Sequence, residues 1–129
     1  MLRDVLVLLF VGAPTGLLTA CGETTTPCPP RMPLAAVDVE IREAGINLPL
    51  AETARGTIRD GSHIDSLQPG RRESGFIISR QAGFERAGTY EVEVVHAGYA
   101  TWRKTGVVVR SVPCRIETAK LQATLQPTS

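Results

Sequence analysis

The side chains of this chain best suited to chemistry are three cysteines and two histidines: Cys21, Cys28, Cys114, His63 and His96. Cysteine thiols accept lipid, form disulfides or bind zinc. Structural zinc sites use closely spaced Cys and His ligands, and these five residues form no such pair. The spacing disfavours zinc and leaves lipid attachment and disulfide formation.

Cys21 follows an N-terminal apolar segment. Arg3 gives a short positive start, residues 5–13 are almost wholly apolar, and residues 14–20 are rich in small side chains. This order is typical of an export signal. The alternative is an uncleaved membrane-spanning helix, which needs about 20 apolar residues. The run here is shorter, and a proline and a glycine interrupt it.

The residues Leu18-Thr19-Ala20-Cys21 resemble the lipobox that ends a bacterial lipoprotein signal. That pattern is Leu, a small or β-branched residue, Ala or Gly, and then Cys. The resemblance implies that residues 1–20 are removed, that Cys21 carries the lipid, and that the mature protein is extracytoplasmic. Gly22 in place of Asp is similar to lipoproteins sent to the outer membrane, where the host has one.

The cysteine count agrees with this interpretation. If Cys21 is acylated, Cys28 and Cys114 remain as an even pair in a compartment that permits disulfides. We therefore expect a Cys28–Cys114 bond that joins segments distant in sequence. The alternative is two unrelated free thiols.

The charges exclude one class of partner. The 129 residues contain 14 basic and 13 acidic side chains, which gives a formal net charge of +1. Nucleic-acid binding requires a concentrated basic face, so we expect no nucleic-acid partner. A chain of this length is expected to form one domain.

A period of two dominates the chain from residue 35 onward, and it indicates half-buried strands. Residues 21–34 are rich in Thr and Pro and are expected to form a tether or an arm packed through Cys28. Residues 35–126 are expected to form the domain. The predicted strands cover residues 37–41, 53–59, 75–80, 90–94, 99–104, 106–110 and 119–125. About seven short strands separated by turn signals predict an all-β, antiparallel sandwich.

The segment Gly88-Thr89-Tyr90-Glu91-Val92-Glu93-Val94-Val95-His96-Ala97-Gly98-Tyr99 resembles the signature of the carboxypeptidase regulatory-like (transthyretin-like) domain family. Val37-Asp38-Val39, Gly45, Pro49-Leu50 and Asp60-Gly61 are similar to its first strand, first loop and following hairpin. The resemblance covers residues 35–125. It implies a seven-stranded sandwich used as an accessory or envelope module, with no cofactor.

Some transthyretin-like sandwiches hydrolyse 5-hydroxyisourate and end in a Tyr-Arg-Gly-Ser tetrad. This chain ends Gln126-Pro127-Thr128-Ser129, so that activity is not expected. His96 and His63 are expected to be structural or loop residues. The loop with Asp60 and Asp65 has too few closely alternating carboxylates for a calcium site. We therefore expect no catalytic and no metal-binding residues.

Two groups of residues are candidate partner contacts. Residues 62–73 form the longest predicted irregular stretch, and its Arg71 and Arg72 are suited to carboxylates or lipid phosphate. The alternative is an ordinary solvated turn.

Tyr99 and Trp102 form the second group of candidate contacts. They are predicted to lie on opposite faces of a strand, which leaves one ring exposed for stacking on a sugar. The alternative is packing of both rings in the core or at its edge.

These observations predict a non-catalytic, lipid-anchored protein of the cell envelope. Its sandwich is expected to be a structural or protein-interaction module, with the membrane and an envelope protein or glycan as partners. The alternatives are a glycan-binding module that uses Trp102 or Tyr99 and a small transthyretin-like hydrolase.

Overall fold

A computed structural model describes residue 12 and residues 27–128 of the chain. Within these residues the backbone forms twelve strands and no helix. In chain order they are β1 (Val37–Glu43), β2 (Arg55–Asp60), β3 (His63–Ser66), β4 (Gln68–Pro69), β5 (Arg72–Glu73), β6 (Phe76–Ile77), β7 (Ser79–Ala82), β8 (Gly88–Val95), β9 (Trp102–Val109), β10 (Ser111–Val112), β11 (Arg115–Ile116) and β12 (Ala119–Leu125).

Two four-stranded sheets make up the body of the domain. The first sheet has the order β12-β1-β7-β4, and the second has the order β3-β2-β8-β9. The remaining pairs, β5 with β6 and β10 with β11, are short hairpins. Apolar side chains from both sheets form one buried cluster. The predicted all-β sandwich is therefore confirmed.

Every second residue of β1 and of β8 points into this cluster. Each aliphatic side chain contributes about 1.5–3 kcal/mol by leaving water, so a one-residue shift of register is strongly disfavoured. Tyr90 also donates its hydroxyl proton to the carbonyl of Arg86, at 2.6 Å. The inward residues of the two strands are Val37, Val39, Ile41, Tyr90, Val92 and Val94.

One strand pair is parallel. Val37 lies opposite Ala119 and Glu43 lies opposite Leu125, so β1 and β12 run in the same direction. The other pairs are antiparallel. Parallel neighbours require a crossover connection. Here the chain leaves β9 of the second sheet, forms the β10–β11 hairpin and enters the first sheet as β12.

The two strands predicted over residues 99–104 and 106–110 are replaced by one strand, β9, which runs from Trp102 to Val109. Its register against β8 shifts between Tyr90 and Val92, which marks a β-bulge. Gly106 lies at this bulge with a φ of +67°, in the left-handed region that glycine adopts without strain. The glycine therefore bends the strand and does not end it.

Residues 62–73, predicted to be irregular, contain β3, β4 and β5, and that prediction is wrong. These strands are short and lie at sheet edges or in a hairpin, so they lack the apolar alternation that identifies a half-buried strand. The tight turn at Asp60-Gly61 is confirmed, because it joins β2 to β3 with Gly61 at a φ of +59°.

The boundaries of two further predicted strands also differ. The strand predicted over residues 53–59 starts at Arg55, because a turn precedes it and the Ala54 amide donates to the Leu50 carbonyl. The strand predicted over residues 75–80 is interrupted at Ile78 and forms β6 and β7.

An N-terminal arm, defined here as residues 27–34, is fixed to the domain. Cys28 is disulfide-bonded to Cys114, as predicted. Arg31 forms an ion pair with Glu85 at 2.9 Å and donates two hydrogen bonds to the Cys114 carbonyl, at 2.6 and 2.9 Å. The Leu34 amide donates to the Glu85 carboxylate, and this bond, followed by Arg31, lowers the pKa of Glu85. The proposed lipid site Cys21 and the proposed signal, residues 1–20, lie outside the described residues.

The sandwich has two ends. The end next to the N-terminal arm is called the arm end here, and there β1 begins next to Gly83, whose carbonyl accepts the Ala36 amide proton. At the other end, called the distal end here, β1 leads into the loop of residues 44–54. The loop of residues 96–101 is also distal, because the Ala100 amide donates to the Gln126 carbonyl just after β12.

The disulfide is expected to contribute much of the stability. The bond closes a separation of 86 residues, for which chain entropy predicts a loss of about 4–5 kcal/mol in the double variant Cys28→Ser/Cys114→Ser. Denaturant unfolding followed by tryptophan fluorescence measures this loss. The Cys21→Ser chain, which carries no lipid, is the matched control, and the double variant is made in the same Cys21→Ser background so that the two chains differ only in the disulfide. A double variant as stable as the control would contradict the prediction.

Candidate functional site

Arg71, a predicted partner contact, is engaged within the domain. Its Nε donates to Asp38 Oδ2 at 2.8 Å, and its Nη2 lies 3.6 Å from Glu40 Oε2. The hydrogen bond to Asp38 raises the pKa of Arg71 above its ordinary value. A cation whose pKa is raised by folding stabilises the fold fully at any pH below its ordinary pKa. The guanidinium therefore stays charged at neutral pH, and its contribution is lost as the pH rises through the raised pKa of Arg71.

Asp38 is the buried partner of this pair. Its side chain is 4% exposed, against 44% for Arg71. Among the described residues, Asp38 Oδ1 is a buried side-chain oxygen without a hydrogen-bond partner. A buried carboxylate needs a close counter-charge, and Arg71 supplies it. Arg71 therefore fixes the chain segment around it against the outer face of the first sheet.

That segment belongs to a long hairpin that runs from β4 to β7 and extends to the distal end. The Arg71 amide donates to Ser79 Oγ at 2.8 Å, and the Arg71 carbonyl accepts from the Ile78 amide at 2.9 Å. The turn is Ser74-Gly75, both residues with positive φ, as in the primed turns that match strand twist. The hairpin leaves Arg72 exposed and Phe76 60% exposed at its tip.

An apolar groove lies between the hairpin tip and the loop of residues 44–54. Its volume is about 360 Å³. Leu48 is 49% exposed, and Ile46 in the same loop is 71% exposed. Backbone hydrogen bonds fix this loop, because the Glu43 amide donates to the Leu48 carbonyl and the Leu50 amide to the Ile41 carbonyl. The groove is lined by Leu48, Pro49, Glu52, Phe76 and Ile77.

Two arginines lie next to one wall of the groove. Arg80 is buried, with its Nε donating to the Ala51 carbonyl at 2.7 Å and its Nη2 to the Glu52 carbonyl at 3.0 Å. The exposed Arg55 donates to the same Glu52 carbonyl at 3.2 Å and to the Ala54 carbonyl at 2.8 Å. Two guanidinium groups therefore converge on one backbone oxygen of a groove residue.

These arginines are not paired with carboxylates. In residues 27–128, the ion pairs within 4 Å involve other arginines. Burial, followed by the neighbouring charge of Arg55, lowers the pKa of Arg80. A buried cation held only by carbonyl oxygens lacks a full counter-charge. The groove itself is lined by apolar side chains and one carboxylate, that of Glu52, and the two arginines lie behind the Glu52 backbone.

The two histidines lie far apart. His96 is at the distal end, where its Nδ1 donates to the Ala97 carbonyl at 2.7 Å and its Nε2 accepts from the Thr53 hydroxyl. His63 is at the arm end, opposite Asp60 in the β2–β3 hairpin. No site joins the two rings.

Asp60 and Asp65 have structural partners. Asp60 forms an ion pair with Arg86 at 2.9 Å, and Asp65 accepts from the Gly83 amide at 2.9 Å. Groups of three or more His, Cys, Asp or Glu side chains able to hold a metal ion do not occur among the described residues.

Tyr99 and Trp102 do not occupy opposite faces of a strand, so that prediction is wrong. Tyr99 precedes β9, in a turn where its amide donates to the His96 carbonyl, and the alternation of a strand does not extend to it. Trp102 lies opposite the buried Val94. Both rings are half-buried and pack against the core. Desolvation, followed by Glu43, raises the pKa of Tyr99.

The structure thus brings Arg71 and Arg72 into the hairpin that borders the groove, while Trp102 lies outside the groove lining. The site residues predicted from the sequence do not include Leu48, Phe76, Arg55 or Arg80. Two features of the sequence could have indicated the groove. The segment of residues 44–54 contains apolar residues together with turn signals, and a phenylalanine follows shortly after Ser74-Gly75. The burial of Arg80 left no signal, because its carbonyl partners come from distant parts of the chain.

Searches among protein-family models and among curated proteins found no match to this chain. The described residues contain no helix of the length and apolar character needed to cross a membrane. Fold and site together define a disulfide-linked, all-β sandwich with an apolar groove at one end.

Loss of the Arg71 cation is expected to destabilise the domain. Arg71→Ala leaves the buried Asp38 carboxylate uncompensated, and we expect a loss of about 2–3 kcal/mol in the free energy of unfolding. The double variant Asp38→Asn/Arg71→Ala is expected to recover part of it, because the amide is neutral. Denaturant unfolding measures both, with Arg72→Ala as the matched control. Equal losses in Arg71→Ala and Arg72→Ala would contradict this account.

Proposed function

We propose that this chain is a non-catalytic, lipid-anchored protein of the cell envelope, whose β-sandwich serves as a protein-interaction module. The domain is proposed to be of the carboxypeptidase regulatory-like type, on the residues that resemble that family. Cys21 is the proposed lipid site, and the outer membrane is the proposed location where the host has one.

Two observations support an extracytoplasmic location. Leu18-Thr19-Ala20-Cys21 follows an apolar segment, and the Cys28–Cys114 bond is of a kind that persists in oxidising compartments. The bond also fixes the arm at one end of the sandwich, seven residues after the proposed lipid site. A lipid at Cys21 would therefore hold the domain to the membrane by its arm end.

The apolar groove at the distal end carries the proposal of protein interaction. Exposed apolar side chains that border a groove are a feature of binding surfaces. Loops presented by a rigid sandwich are also where binding residues concentrate. Leu48 and Phe76 lie on two such segments, at the end of the domain opposite the arm.

The alternatives have less support from the geometry. A sugar-stacking platform needs an exposed ring face, and both Tyr99 and Trp102 pack partly against the core. A hydrolase needs a nucleophile, a base and a group that stabilises the developing charge. Thr53 and His96 form a hydrogen-bonded pair on the surface, with His96 oriented by a backbone carbonyl, but neither residue lines the groove.

Intact mass spectrometry of protein extracted from membranes tests the anchor. We expect a mature chain that begins at Cys21 and carries acyl chains, because the lipobox-like residues direct both steps. The variant Cys21→Ser should lack the acyl mass, whereas Cys28→Ser, the matched control, should keep it. A chain that retains residues 1–20, or that is cleaved elsewhere without lipid, would overturn the proposal.

A further inference from the structure

We propose that the open edge of β12 binds an extended segment of another protein, which adds to the first sheet as an antiparallel strand. The segment alternates apolar side chains with neutral polar side chains. This inference goes beyond the proposed function, because the edge is separate from the groove. In the first sheet, β12 lies on one side of β1, and the hairpin that borders the groove lies on the other.

One edge of β12 carries backbone groups that are open to pairing. The Ala119 amide donates to the Ala36 carbonyl, beside the start of β1. The Leu125 carbonyl accepts from the Ala44 amide, beside the end of β1. The odd-numbered residues of β12 therefore direct their backbone groups toward β1, and the even-numbered residues direct theirs toward the open edge. Without a backbone partner in residues 27–128 are the amides and carbonyls of Lys120, Gln122 and Thr124.

The other edges of the two sheets carry features that hinder strand addition. β4 has two residues and ends in a proline, and β3 has four residues. β9 has a β-bulge, and its Lys104 lies opposite the buried Val92, which directs the cation to the inner side of that edge. Short strands, prolines, bulges and inward charges all block sheet edges. β12 has seven residues in unbroken register with β1, and its one charged side chain, Lys120, points outward.

The inward side chains of β12 define the apolar half of the recognition. Ala119 and Leu121 pack against the core but are only half-buried. Val37 and Val39, which lie opposite them on β1, are fully buried. An inward side chain on an added strand would lie beside Leu121 and remove its remaining apolar surface from water. The partner segment therefore presents an apolar side chain at every second position.

The outward side chains of β12 define the polar half, because they line a pocket of about 210 Å³. The two charges in this pocket neutralise each other, since Arg42 Nε lies 2.6 Å from Glu40 Oε1. Its other polar side chains, Asn47, Gln122 and Thr124, are neutral. An outward side chain on an added strand would lie one strand spacing, about 4.8 Å, from Gln122. A neutral amide there can exchange hydrogen bonds with the pocket without adding an uncompensated charge.

A second copy of this chain is a poorer occupant of the edge. Two β12 strands paired antiparallel about a two-fold axis would place the two arms at opposite ends of the dimer. Two chains anchored through their arms in one membrane do not meet in this way. This step alone rests on the proposed anchor, and sedimentation velocity tests it separately.

Solvent-exchange NMR tests the proposal on the full chain with Cys21→Ser, which carries no lipid. The probe is a capped pentapeptide, acetyl-Gln-Val-Gln-Val-Gln-amide. We expect it to shift the signals of Lys120, Gln122 and Thr124 and to slow the exchange of their amide protons with water, because each amide gains an acceptor. When about nine tenths of the chain is bound, exchange should slow by about tenfold.

Two methylated forms of the peptide test whether its backbone is recognised. In an antiparallel ladder, the residues that bond to Gln122 and its even-numbered neighbours have side chains on the same, outward face. These are the Gln residues of the peptide. Methyl groups on the Gln nitrogens should weaken binding by about tenfold, because they remove donors. Methyl groups on the Val nitrogens, which face away from β12, should leave the affinity unchanged. Equal affinities or the reverse order would overturn the proposal.

Two variants of one residue locate the edge. Gln122→Pro removes an amide that points to the open edge, and proline is tolerated on an edge strand where its nitrogen faces solvent. Gln122→Ala, the matched control, loses the same side chain but keeps the amide. We expect Gln122→Pro to abolish peptide binding and Gln122→Ala to retain most of it, and equal binding by the two would contradict the proposal. Denaturant unfolding checks that both variants fold, and the methylated peptides test the same claim on the unaltered edge.

Two further results would also overturn the proposal. A Gln122 amide that exchanges slowly before the peptide is added would show that another part of the chain already covers the edge. A dimer of the Cys21→Ser chain that is absent in Gln122→Pro, as measured by sedimentation velocity, would identify a second copy as the occupant. None of these experiments uses the lipid at Cys21, so failure of the proposed anchor is a separate outcome.

Discussion

The position of β1 at the centre of the first sheet is the constraint on which the rest of the structure depends. Its inward face packs against the second sheet through Val37, Val39 and Ile41, which are fully buried. Its outward face carries Asp38, which binds the hairpin through Arg71. Its two ends separate the disulfide-bonded arm from the distal loops. One strand therefore sets both the core and the distance between the proposed anchor and the groove.

Buried charged groups determine the positions of the segments that surround the groove. A buried carboxylate or guanidinium is costly without partners, so the segments that supply those partners are confined. Asp38 confines the hairpin through Arg71, and Arg80 confines the turn of residues 51–54 through two carbonyls of that turn. Apolar packing forms the sandwich. Buried charge then determines where its distal loops lie.

The sequence was sufficient for features that depend on local pattern, such as the alternation in β1, β8 and β12, the turn at Gly61 and the Cys28–Cys114 pair. It was insufficient where neighbours distant in sequence decide the outcome. The short edge strands in residues 62–73 have no apolar face, and the bulge at Gly106 depends on pairing with β8. The sequence does not indicate the groove, because Leu48 and Phe76 are distant in sequence and come together only where Asp38 holds the hairpin against the sheet.

The arm and the groove lie at opposite ends of the domain, and our central proposal is that a lipid at Cys21 anchors the arm end, so that the groove faces away from the membrane. Paramagnetic relaxation measures this directly, with the lipidated protein in nanodiscs that contain a gadolinium-chelating lipid. The account predicts strong broadening of amide signals near the disulfide, such as Arg115, and little at Phe76 in the hairpin tip. Equal broadening at the two positions, or stronger broadening at Phe76, would contradict it.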